Sequence, residues 1–131
     1  MNPYLFTYGT LHPGRAPEEI AAAVARLQPV GEGFVHGRLY DLGDYPGAVL
    51  DPSSPQTISG TVFQLPEDPD ILRQLDEYEG FNPDALDQGL FLRAQCSVAL
   101  SAGGALTCWI YVYIGTPEPA RILPSGIERE N

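Results

Sequence analysis

Lysine is missing altogether: the seven basic side chains among the 131 residues are all arginine. Without a lysine amine there is no Schiff-base chemistry and no P-loop lysine to reach a phosphate. The seven arginines face 17 acidic residues, and a formal charge of −10 leaves nothing to neutralise a run of phosphates. A nucleic-acid partner and an anionic membrane surface are therefore not expected. Histidine occurs twice, as His12 and His36, with no Cys or His at a ligand spacing, and no Asp-x-Asp-x-Asp loop is present. No metal and no cofactor are expected. Cysteine is also limited to two residues, Cys96 and Cys108, which fall on different expected strands and read as a reduced core pair. No apolar run is long enough to cross a bilayer. Met1-Asn2-Pro3-Tyr4 opens without the basic segment and apolar stretch of a signal peptide, so the expected location is cytoplasmic. No convincing Ser/His/Asp or Cys/His set offers a protein nucleophile.

What is present is a chain with a 44% hydrophobic fraction, long enough to bury a core and read as one domain over residues 1–131. Its 13 prolines and 14 glycines point to many short elements. Tyr4 to Tyr8 is a dense run of β-formers that stops at Gly9 and is expected to be an interior strand. Pro17, Glu18 and Glu19 open a helix that continues through the alanine-rich segment to Leu27 and is expected to stop at Pro29. Val30 to Leu42 reads as a long strand whose Gly31, Gly33 and Gly37 are spaced like the bends of a small barrel. Short strands follow at 48–50 and 58–65. Leu90 to Leu100 and Ala105 to Ile114 form a hairpin about Ser101-Ala102-Gly103-Gly104. In the second of these, Cys108, Ile110, Val112 and Ile114 alternate with Trp109, Tyr111 and Tyr113, giving an aliphatic and an aromatic face. Residues 81–89 make a long polar loop that reads as a possible lid, and the tail after Pro119 carries too little apolar content for another core element.

The most informative stretch is Leu72 to Gly80. Ile71, Leu72, Leu75 and Tyr78 fall at helical spacing, and Gly80 stands where a left-handed cap would end the helix. Glu79 is then at or next to the last helical position, facing the negative end of the helix dipole with Asp76 three residues back. Two readings stay open from the residues alone. Glu79 is a solvated helix end, or it is a carboxyl group whose pKa is pushed toward neutrality so that it can accept and return a proton. Asp76 reads as a cap or ion-pair partner, Glu77 as solvated, and Arg93 as a partner for a buried carboxylate or as an exposed strand residue.

Taken together, Phe6-Thr7-Tyr8-Gly9-Thr10-Leu11, Tyr45-Pro46-Gly47-Ala48-Val49, Leu75-Asp76-Glu77-Tyr78-Glu79-Gly80 and Phe91-Leu92-Arg93 resemble the γ-glutamylcyclotransferase-like family. The resemblance implies an α+β fold, a small mixed and mostly antiparallel β-barrel flanked by short helices, in agreement with the glycine-interrupted strands. It implies a cyclotransferase of transferase or lyase type that releases 5-oxoproline from a small-molecule γ-glutamyl substrate. Glu79 would be the acid-base, Tyr8, Gly9, Thr10 and Leu11 the loop that binds the substrate, and Tyr113 a late-strand contact. The chain departs from the family's Tyr-x-Arg pattern at Phe91, which puts the choice of leaving amine in doubt. The expected oligomeric state is a monomer or weak homodimer. The alternative is a module on the same fold that binds an acidic metabolite or a protein partner without turnover.

Overall fold

The computed structural model describes residues 3–8, 16–41, 46–79, 91–113 and 122. Their elements are β1 (Tyr4–Thr7), α1 (Glu18–Val24), β2 (Gln28–Asp41), β3 (Pro46–Leu50), β4 (Thr57–Gln64), α2 (Pro69–Glu79), β5 (Phe91–Leu100) and β6 (Ala105–Tyr113). The strands hydrogen-bond in the order β3-β2-β4-β1-β6-β5, and a further β2–β5 pairing closes five of them into a barrel with β3 as an additional strand. β1 is antiparallel to β4 and parallel to β6, while the other pairs are antiparallel. The fold is therefore α+β, a mixed and mostly antiparallel barrel with two short helices.

β1 is an interior strand, as its unbroken run of β-formers leads one to expect. Alternation along it divides the core in two. Phe6 and Tyr8 point into the barrel with Val35, Leu39, Ile58, Val62, Val98, Cys108 and Ile110. Leu5 belongs to the outer layer, where Phe63, Phe91 and Tyr111 pack against Ile20, Val24 and Leu27 near α1 and Ile71, Leu72 and Leu75 of α2. The aliphatic and aromatic faces read from the β6 sequence are these two sides of the barrel wall. Closure at the β2–β5 seam depends on Gly33, paired with Leu100: a Cβ there would stand 2.7 Å from the Ala99 carbonyl oxygen.

Two boundaries differ from the sequence expectation. α1 ends at Val24 with Ala25 as its cap, well before Pro29. Pro29 lies inside β2, where the ladder to β4 shifts register between Pro29 and Gly31. A proline is tolerated at such an irregularity because its missing N–H interrupts pairing that is already broken. Ile122 forms an isolated antiparallel bridge with Tyr40, and the rest of the tail lies outside the described residues. The loop at 81–89, read as a lid, also lies outside them.

Cys96 and Cys108 sit directly opposite each other on β5 and β6 as free thiols. Burial pushes Cys96 up to about 12, with the neighbouring Cys108 adding to it, and pushes Cys108 up to about 11. Both are inert thiols at neutral pH. No described helix is long and apolar enough to cross a membrane.

Candidate active site

The site is built where β1 ends. Pro69 and Leu72 of α2 share an apolar depression of about 420 Å³ with Pro3 and Leu65, beside the start of β1. One to two turns later, Asp76 bonds to side chains of β5 and β6. The register Leu5↔Trp109 puts Thr7 level with Tyr111 on the neighbouring strand. α2 therefore runs alongside β1 in the same sense, and its last turn arrives at the rim of the barrel where β1 ends at Thr7 and Tyr8 follows.

Asp76 is the anchor of that turn. It is 7% exposed. The Arg93 guanidinium donates to both its oxygens, from Nε at 2.8 Å and from Nη2 at 3.1 Å, and the Tyr111 hydroxyl donates to Oδ1 at 2.6 Å. Arg93 in turn lies over the Trp109 ring, 4.3 Å from its centroid. Arg93 and Tyr111 are opposite one another on β5 and β6, so a helix, two strands and a cation–π contact converge on one carboxylate. The sequence left two readings for Arg93, and the buried ion pair is the one realised. Pairing also neutralises Asp76, so the like-charge repulsion toward position 79 suggested by the sequence is offset. Glu77 is exposed, 3.5 Å from Arg73 one turn back.

Tyr8 occupies the inner side of the same rim. Its hydroxyl donates to the Tyr111 carbonyl at 2.5 Å and accepts from the Ala48 N–H at 3.2 Å, tying β1, β3 and β6 together just before the glycine. At Gly60 a Cβ would stand 2.2 Å from the Thr7 carbonyl oxygen and 2.8 Å from the Phe6 ring, so a glycine is needed for β4 to approach the end of β1. Tyr113, the last residue of β6, packs edge-on against Phe91 at 5.9 Å between centroids. Glu79 is the last residue of α2, and by spacing its position continues the stripe of Leu72, Leu75 and Asp76. Its side chain, and Gly9, Thr10 and Leu11, lie outside the described residues. Sequence reading missed Tyr111 as a partner for Asp76. The signal was present in the aromatic face of β6, but which aromatic would meet the helix depends on strand register.

Among the described residues no group of three or more His, Cys, Asp or Glu side chains could hold a metal ion. His36 is placed away from the rim, with Nδ1 3.1 Å from the Ser54 carbonyl oxygen, which fixes its tautomer as the Nδ1–H donor.

A closed five-stranded barrel, with a helix clamped by its carboxylate at the rim where the first strand ends, defines a small α+β class. Comparison with known proteins gives it a family. The gamma-glutamyl cyclotransferase, AIG2-like family matches residues 5–128, and the chain belongs to that family. An AIG2-like protein from Mus musculus has a similar structure, with a TM-score of 0.72 and 21% identity over 98% of this chain and 88% of that one. YkqA from Bacillus subtilis is similar with a TM-score of 0.65 and 22% identity over 90% of this chain, which spans only 38% of the YkqA chain. A solved structure named gamma-glutamyl cyclotransferase matches with a TM-score of 0.59 and 16% identity, covering 90% and 72% of the two chains. Identities this low speak for the shared fold. No curated protein matches the chain significantly.

Proposed function

We propose that the protein is a γ-glutamyl cyclotransferase, releasing 5-oxoproline and a free amine or amino acid from a γ-glutamyl amide, with Glu79 as the acid-base. The observation that carries this reading is the anchoring of the last turn of α2, through Asp76 to Arg93 and Tyr111, at the end of β1. Family membership supports the reaction class.

The chemistry is an intramolecular aminolysis. The substrate's α-amine, once it has lost the proton of its ammonium form, attacks its own γ-carbonyl carbon and closes a five-membered ring. Glu79 takes the proton that the attacking nitrogen sheds as the new C–N bond forms. It returns a proton to the leaving nitrogen as the old amide bond breaks. No protein nucleophile takes part. Holding amine and carbonyl in a near-attack pose supplies much of the acceleration, since well-oriented intramolecular reactions reach effective molarities of about 10⁵ M or more. In this reading the substrate's carboxylate is assigned to the segment Tyr8-Gly9-Thr10-Leu11, because backbone N–H groups of a glycine-containing segment can hold an anion in a chain that has no lysine. The Tyr8 hydroxyl, bonded to the Tyr111 carbonyl and the Ala48 N–H, anchors the start of that segment, and Tyr113, which packs against Phe91 at the end of β6, is assigned as a further substrate contact.

Incubation with a panel of γ-glutamyl amines and amino acids, with 5-oxoproline as the readout, tests this. Turnover of at least one member is expected, reduced by about 100-fold or more in Glu79→Gln. Turnover of none, with 5-oxoproline bound equally by both proteins, would leave a binding module in place of the enzyme.

A further inference from the structure

The rim holds three hydroxyl groups side by side on the outer face of the sheet, and they differ in one respect. Thr61, opposite Thr7 on β4, donates to Glu32 Oε2 at 3.2 Å. Tyr111, on the other side of Thr7, donates to Asp76. Thr7 is 6% exposed, and its Oγ1 is the buried side-chain polar atom that has no hydrogen-bond partner among the described residues.

A buried hydroxyl without a partner costs free energy, and such groups in folded proteins call for a specific explanation. Packing does not give one here: valine has nearly the same shape, carries no polar atom, and is a better strand former. Position does. Thr7 is the last residue of β1, it immediately precedes Tyr8 and Gly9, and it is level with the turn of α2 that Asp76 anchors.

We infer that the Thr7 hydroxyl is a ligand-binding group of this site, donating a hydrogen bond to an oxygen of the carboxylate or amide carbonyl of a bound γ-glutamyl group. The inference rests on the cyclotransferase reading and adds to it a side-chain contact that determines affinity for the acyl half of the substrate. It also gives a reason for the buried hydroxyl's lack of a partner among the described residues: a donor that no described group occupies is available to a ligand.

The test sets stability against binding. Thr7→Val and Thr7→Ser are compared with the unaltered protein by thermal melting without ligand and by calorimetric titration with 5-oxoproline. Thr7→Val should melt higher, because the unpaired hydroxyl is gone, and should bind 5-oxoproline about tenfold more weakly. Thr7→Ser, which keeps the hydroxyl, should bind within about twofold of the unaltered protein. A lower melting temperature or failure to fold in Thr7→Val would show that the hydroxyl has a structural partner, and overturns the inference. Unchanged binding by Thr7→Val, or equal losses in both variants, also overturns it while leaving the cyclotransferase reading intact. An unaltered protein that neither binds 5-oxoproline nor turns over any γ-glutamyl amide removes the reading and the inference together.

Discussion

The two sides of the barrel wall are built from different chemistry. Inside, Phe6, Val35, Leu39, Ile58, Val62, Val98 and Ile110 fill the space with apolar groups, and Tyr8 brings a hydroxyl only as far as the rim. Outside, the buried layer contains a carboxylate, a tyrosine hydroxyl and a threonine hydroxyl that has no partner among the described residues, with a guanidinium at its edge. An apolar interior holds its shape through packing and has no use for exact orientation of polar atoms. A buried polar layer is different: it costs free energy unless each group is satisfied, so its geometry is specified atom by atom. The inside of this barrel is scaffold, and the outer layer is where orientation has been fixed.

The largest effect expected from this contrast is at Arg93. Arg93→Met keeps the aliphatic stem near Trp109 but leaves the Asp76 carboxylate buried without its cation. Breaking a buried pair from one side costs about 3–5 kcal/mol. Urea denaturation should show that loss, and Asp76→Asn added to Arg93→Met should recover part of it because the charge is then removed as well. A loss below about 1 kcal/mol would mean that the outer layer is no more tightly specified than the protein's surface.

Most of the fold was legible in the sequence, and the reason is periodicity. The β1 run, the alternation in β6, the hairpin at 101–104 and the helical stripe of α2 each state locally which face is buried. The Gly31 region was legible as a bend for a similar reason. The end of α1 was not, since Pro29 looks like a helix stop and serves instead at a bulge whose position is set by the β2–β4 register. The site was partly legible. Asp76 could be read as an ion-pair partner and Arg93 as a partner for some carboxylate, but their meeting is a tertiary fact, as is the role of Tyr111. Thr7 was invisible as a special residue, because a threonine near the end of a strand is ordinary until its neighbours' partners are known.

A smaller effect is expected at the inner rim. Tyr8→Phe keeps the ring in the barrel but removes the acceptor for the Ala48 N–H and the donor to the Tyr111 carbonyl. Leaving buried backbone groups unsatisfied should cost about 1–3 kcal/mol, measured by the same denaturation. Because Tyr8 begins the segment assigned to the substrate's carboxylate in the proposed reaction, Tyr8→Phe should, under that proposal, also raise KM for a γ-glutamyl amide more than it lowers kcat. A variant as stable as the unaltered protein would place the rim hydroxyl with the scaffold and make the contrast between the two sides complete.

The smallest effect is expected at the arginine–aspartate pair Arg38–Asp51, which contains the same two types of side chain as the clamp in a wetter setting. Arg38 Nη1 donates to Asp51 Oδ2 at 3.0 Å, with each side chain 31% exposed, against 16% and 9% for Arg93 and Asp76. The Ser53 hydroxyl, then Arg38, hold the Asp51 carboxyl below its ordinary value. A carboxyl whose pKa is lower folded than unfolded contributes stability that is present above the unfolded value, near 3.8, and is lost as pH falls through the folded value. Solvent screening makes that contribution small. Asp51→Asn should therefore change the denaturation midpoint at pH 7 by far less than Arg93→Met, and the difference between Asp51→Asn and the unaltered protein should vanish in strong acid. An Asp51→Asn loss as large as that at Arg93 would show that burial is not what separates the two pairs.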